Sequence, residues 1–132
     1  MSKFQKRLKK LNIEARNAAV IGTGFGRLSE IAEIFDNVFI FRSSEKEFKS
    51  RNIIYREDFS KPETLPVINA IFIDLAEVDQ LANAAGMMKK FRSLVLIEGS
   101  EFIGRDKSLP LYKNEYRGIE SLGYFHVWKN IQ

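Results

Sequence analysis

Three glycines within five residues, Gly22-Thr23-Gly24-Phe25-Gly26, follow the apolar run Ala18-Ala19-Val20-Ile21 and precede Arg27-Leu28-Ser29. Glycines at this spacing let a chain turn sharply and bring its backbone against a ligand with no Cβ in the way. At a strand-to-helix junction the free amides and the helix dipole add affinity for a polar or anionic group, so the pattern predicts a nucleotide-bearing cofactor. The competing reading of the same residues is a tight structural turn. Polar or small residues also follow the later apolar runs: Arg42-Ser43, Asp58-Phe59, Asp74 and Glu98-Gly99-Ser100. Ligands of open parallel sheets bind beyond the carboxyl ends of the strands, so these residues together predict one site. Singly, each is only what a buried strand needs in order to stop.

The elements that must position them follow from the hydrophobic pattern. Strands are expected at Ala18–Ile21, Val38–Phe41, Asn52–Tyr55, Ala70–Ile73, Leu94–Ile97 and Tyr124–Trp128, mostly apolar on both faces. Helical spacing joins Leu28, Ile31, Ala32, Ile34 and Phe35, then Val78, Leu81, Ala82, Ala85 and Met88, and finally Tyr112, Tyr116 and Ile119. Ser44 with Glu47, and Ser60 with Pro62 and Glu63 before Pro66, read as starts of short helices. Two-sided apolar strands separated by helices belong in a parallel sheet covered on both faces. The expected fold is therefore α/β, doubly wound and Rossmann-like, with a mainly parallel sheet of about six strands. One domain is expected, an N-terminal helix in residues 1–17 and an α/β core in 18–132.

That first helix is basic and amphipathic: Phe4, Leu8 and Leu11 form a stripe, with Lys3, Lys6, Arg7, Lys9 and Lys10 largely opposite. The expectation is a packed helix with solvated lysines, without the interleaved aromatics of a nucleic-acid surface. The net charge of +4 is modest, and the absence of cysteine removes thiolate, disulfide and zinc-thiolate chemistry. No apolar run approaches the ~20 residues of a membrane span, and no signal peptide is visible, so a cytoplasmic location is expected. His126, the only histidine, and Trp128 read as packing residues, and no metal site is expected. The stretch from Gly99 to Pro110 reads either as a lid or as a simple connection.

Gly22-Thr23-Gly24-Phe25-Gly26 with Arg27-Leu28-Ser29 resembles the first motif of S-adenosylmethionine-dependent methyltransferases. Asn52-Ile53-Ile54-Tyr55-Arg56-Glu57-Asp58-Phe59 continues the resemblance, which implies that Asp58 bonds the adenine amino group and Phe59 lines the base pocket. Pro66 to Leu75, with Asp74 inside it, is similar to the family's fourth-strand motif, flanking the cofactor and the transferred methyl. Leu122-Gly123-Tyr124-Phe125 resembles the approach to the sixth strand. The departures are Val20, where the family carries an acid two places before the first glycine, and Phe41-Arg42, where it carries a ribose-binding acid. No seventh strand is expected, since the pattern leaves no segment for one. The resemblance implies S-adenosylmethionine as cofactor, held by Gly22, Thr23, Gly24, Phe25, Gly26, Arg42, Ser43, Asp58, Phe59 and Asp74, with Asp74 the one candidate for work at the methyl group.

Two alternatives stand beside it. An NADP-binding domain would use Arg42-Ser43 for the 2′-phosphate, although Arg27 occupies the place of the third glycine of a dinucleotide fingerprint. A non-catalytic Rossmann-like module would bind a protein partner, or a second copy of the chain, across the open edge.

Overall fold

The computed structural model describes residues 1–22, 27–41, 50–57, 61–99, 104–122 and 125–132. The chain starts with α1 (Lys3–Lys9), which opens on a capping box: the Ser2 hydroxyl accepts from the Gln5 N–H, and the Gln5 side chain accepts from the Ser2 N–H. Phe4 and Leu8, one helical turn apart, are buried, whereas Lys3, Lys6, Lys9 and Lys10 face solvent. The basic stripe is thus the outer side of a packed helix, as expected.

Five short strands follow: β1 (Asn17–Ile21), β2 (Asn37–Phe41), β3 (Ile53–Arg56), β4 (Ala70–Asp74) and β5 (Leu94–Glu98). All pair in parallel, and each lies within one or two residues of its expected place. Alternation splits their side chains between two cores. Ala18, Val20, Val38, Ile40, Phe72 and Leu96 meet α1 and α2 (Leu28–Ile34) on one face. Ile21, Phe41, Ile71, Ile73, Val95 and Ile97 meet the other cover, made by residues 75–91. Polar residues end the apolar runs at the amino edge, where Asn37 Nδ2 donates to Asn17 Oδ1 at 3.1 Å and Asn69 Oδ1 accepts from the Asn17 N–H at 3.0 Å.

The cover on the second face differs from the single long helix that the periodicity predicts. Leu75–Leu81 winds as a 3₁₀ helix, a turn intervenes, and α3 runs only from Ala85 to Phe91. Three-residue winding keeps Val78 and Leu81 on one face, and both are buried. The stretch from Pro62 holds one 3₁₀ turn, Pro62–Thr64, while the expected start at Ser44–Glu47 lies outside the described residues.

The larger correction is at the carboxyl terminus. Among the described residues the sheet has seven strands, in the order β3-β2-β1-β4-β5-β7-β6. The helix expected there covers Leu109–Lys113 (α4); Tyr116 and Ile119, expected on it, lie on β6 (Tyr116–Leu122), paired antiparallel with β7 (Phe125–Asn130). Glu115, at φ 63°, breaks the helix just before the strand. Among the β6 side chains described, Tyr116 to Ser121, only Tyr116 is buried, so this stretch carries no apolar alternation to announce a strand. It is an edge strand, blunted by charged residues and by a register shift between Gly118 and Glu120.

Tyr116 anchors that edge. Its phenol is buried and donates to the Ser93 carbonyl at 2.5 Å, and burial holds its pKa well above the usual tyrosine range. A folded-state pKa above the unfolded value means that the unfolded chain releases this proton first as pH climbs. The contribution is therefore whole below about pH 10 and falls above it by about 1.4 kcal/mol per pH unit. Tyr116→Phe should lose about 1–3 kcal/mol at neutral pH, because the Ser93 carbonyl loses its partner, and should lack this alkaline decline. Urea unfolding of both proteins between pH 8 and 11 measures the difference; parallel curves would refute it.

Candidate functional site

The site is built at the carboxyl edge of the sheet. Gly22 follows β1 directly, and its N–H donates to the Phe41 carbonyl at the end of β2, 3.2 Å away. Gly22 has φ +107°, a conformation that side chains with a Cβ rarely adopt. A Cβ there would lie 2.7 Å from Glu77 Cγ. Glu77 belongs to the 3₁₀ helix after β4, so its side chain closes on the first glycine of the loop from across the β1–β4 junction.

Asp74 is the last residue of β4 and also the cap of that 3₁₀ helix: Oδ1 accepts from the Ala76 N–H at 2.9 Å. It pairs in register with Glu98, the last residue of β5, and Glu98 pairs with Phe125 at the start of β7. At Gly99 the backbone comes so close to Leu75 that an added Cβ would sit 2.7 Å from its side chain. Carboxylates thus gather along the central part of this edge, from Glu77, Asp74 and Glu98.

The other side of the edge is held by α1. The Phe4 ring stacks on Phe125 with centroids 4.8 Å apart, and the Arg27 guanidinium lies 5.1 Å from the Phe4 centroid. Arg27 Nη1 meets Glu30 Oε1 at 3.2 Å, while Glu30 Oε2 accepts from the Ser2 hydroxyl at 2.6 Å. Gln5 Nε2 donates to the Glu30 carbonyl at 2.9 Å and to Glu33 Oε2 at 2.8 Å. The residue that follows the glycine loop is therefore fixed by the N-terminal helix.

Of the residues that the sequence singles out at the strand ends, Gly22, Asp74, Glu98 and Gly99 are described, and the topology brings them to this edge. Thr23, Gly24, Phe25, Gly26, Arg42, Ser43, Asp58 and Phe59 lie outside the described residues. Val20, at the position where the resemblance leads one to expect an acid, is fully buried in the sheet between Ile40 and Phe72. The carboxylate that does reach the loop comes from Glu77, a residue the sequence reading passed over. Its only local signal is an acid three residues after the end of a strand. At the end of β3, Arg56 is exposed, its guanidinium 5.9 Å from the Phe39 ring centroid. His126 pairs with Ile97 and has its Nδ1 3.5 Å from Ser121 Oγ; its Nε2 is buried and has no hydrogen-bond partner among the described residues. A groove of about 530 Å³ between α1 and α2, lined by Leu8, Asn12, Ile13 and Phe35, opens at the opposite, amino edge, away from all of these residues.

The strand order decides between sheet types. A dinucleotide-binding sheet runs 3-2-1-4-5-6, all parallel. Here an antiparallel β7 is inserted between β5 and β6. The expectation of a sheet without a seventh strand is overturned, and with it the one topological argument that favoured NADP.

Solved structures agree with that arrangement. The N-methyltransferase NodS from Bradyrhizobium japonicum WM9 superposes with a TM-score of 0.66 at 11% identity, over 97% of this chain and 93% of its own. Precorrin-6y C5,15-methyltransferase from Geobacter metallireducens GS-15 gives 0.61 at 15% identity, over 95% and 85%. The methyltransferase MycE of the mycinamycin pathway, solved with Mg, SAH and mycinamycin VI, gives 0.63 at 11% identity, over 97% of this chain but 46% of MycE. The fold is the methyltransferase fold. At these identities the likeness concerns the fold alone. No family model and no curated protein sequence matches the chain. Within the methyltransferase fold, Gly22 stands at the end of the first strand and Asp74 at the end of the fourth, the two central strands of the sheet. No helix among the described residues is long and apolar enough to cross a membrane.

Proposed function

We propose that this protein binds S-adenosylmethionine across the carboxyl edge of β1, β2 and β4 and serves methyl transfer. The observation that carries this reading is the strand order, with antiparallel β7 between β5 and β6 beside a glycine at φ +107° that follows β1. The cofactor residues are Gly22, Thr23, Gly24, Phe25, Gly26, Arg42, Ser43, Asp58, Phe59 and Asp74, in one domain spanning residues 1–132, with its α/β core in 18–132.

The donor set fits the group. S-adenosylmethionine is cationic at sulfur and at its amino nitrogen, and the central edge carries the carboxylates of Glu77, Asp74 and Glu98. When bound, the sulfonium supplies an electrophilic methyl group. The chain's part is orientation, which by itself can lower such a barrier by several kcal/mol. Gly22 lets the backbone approach. Asp74 keeps one oxygen on the Ala76 N–H, fixing its carboxylate so that the second oxygen can hold a proton or an ammonium at the edge.

A thermal-shift screen with S-adenosylmethionine, S-adenosylhomocysteine, NAD and NADP tests the reading. A ligand at ~100 times its dissociation constant should stabilise the fold by about 2.7 kcal/mol. The sulfonium and its thioether product should both do so, and the dinucleotides should not. A shift with NADP alone would overturn the assignment; no shift with any of the four in folded protein would leave a non-catalytic module.

A further inference from the structure

We propose that Arg27 is the residue that grips the carboxylate of the cofactor's amino-acid half, an assignment that rests on the S-adenosylmethionine reading above. Helix formation does not account for an arginine at this position. Arg27 occupies the N-cap of α2 at φ −124° and ψ 27°, and its side chain caps nothing. N-caps favour Ser, Thr, Asp and Asn, and a cation there faces the positive end of the helix dipole.

Its surroundings do account for it. The guanidinium is stacked over Phe4 and tethered through Nη1 to Glu30, whose other oxygen is held by the Ser2 hydroxyl. This fixes the plane of the fork, and the side chain is still 34% exposed. A guanidinium has five donors; Glu30 takes one nitrogen, and among the described residues nothing else takes Nε or Nη2, which leaves that edge for a second carboxylate. A planar fork fixed in advance loses little freedom when it takes up an anion.

The position fits as well. Arg27 touches Phe4, Phe4 stacks on Phe125, and Phe125 stands in register with Glu98 and, through it, with Asp74. One arginine and the carboxylates of Asp74 and Glu77 therefore share one edge of the sheet. An α-amino acid is a zwitterion, and this edge offers a partner for each of its charges: Arg27 for the carboxylate, the acids for the ammonium.

Calorimetry of S-adenosylhomocysteine and 5′-methylthioadenosine, which lacks the amino-acid half, separates the possibilities. In Arg27→Gln the affinity for S-adenosylhomocysteine should fall about 10- to 100-fold, while that for 5′-methylthioadenosine should change less than about 2-fold. Arg27→Met, which puts an apolar chain in place of the guanidinium beside Phe4, should show the same split. An arginine that only ties α1 to α2 would move both ligands together with the melting temperature, and that result overturns the proposal. So does an unchanged S-adenosylhomocysteine affinity in both variants, or wild-type protein that binds the two ligands equally well. Wild-type protein that binds neither ligand overturns the cofactor reading itself, and the Arg27 assignment falls with it.

Discussion

Gly22→Ala should destabilise the protein by about 1–3 kcal/mol and weaken S-adenosylhomocysteine binding by at least ~10-fold. Two separate costs meet at this residue. The backbone conformation, φ +107°, is strained for any residue with a Cβ, and the new methyl would lie 2.7 Å from Glu77 Cγ. Either the loop backs away or Glu77 does, and in both cases the first glycine and the carboxylate above it lose their relation. The double variant Gly22→Ala/Glu77→Ala removes the contact but leaves the φ, so it should recover part of the stability and none of the affinity. Urea unfolding gives the first quantity and calorimetry the second. Wild-type affinity in Gly22→Ala would mean that the cofactor does not lie against this turn. Full recovery of stability in the double variant would mean that the backbone strain is negligible.

Phe72→Ala should cost about 3–5 kcal/mol, a large share of the ~5–15 kcal/mol that holds a domain of this size. Phe72 is fully buried on β4, between β1 and β5, and meets Phe35 of the α2 side edge-to-face at 5.9 Å. A central strand hydrogen-bonded on both sides has little freedom to collapse into the space left by a phenyl ring. The effect should reach the site, since Asp74 is two residues further along the same strand. Ile119→Ala is the control: that side chain is 46% exposed on the edge strand and should change stability by less than about 0.5 kcal/mol. A loss below ~1.5 kcal/mol for Phe72→Ala, measured by chemical denaturation, would show that this core repacks.

The residues themselves determined the central sheet. Val20-Ile21, Phe39-Ile40, Ile71-Phe72 and Val95-Leu96 are apolar on successive positions within runs too short for a buried helix, as strands buried on both faces are, so β1, β2, β4 and β5 were legible, and β3 followed from its place in the series. Gly22 at the end of β1 and Asp74 at the end of β4 were legible for the same reason: buried strands stop where polarity or flexibility begins. The tertiary structure decided what depends on neighbours remote in sequence. β6 is a strand because β7 offers it a ladder from Tyr116↔Asn130 to Leu122↔Phe125; taken alone, Tyr112, Tyr116 and Ile119 recur at helical spacing. The same long-range pairing set the strand order, and so separated the methyltransferase fold from a dinucleotide-binding sheet. The places of Glu77 and Arg27 at the carboxyl edge have an equivalent reason. One is carried onto Gly22 by the 3₁₀ winding after β4, and the other is pinned by Phe4 and Glu30. Local patterns encode whether a segment is buried, because burial acts residue by residue; which segments meet is fixed by packing across the whole sheet.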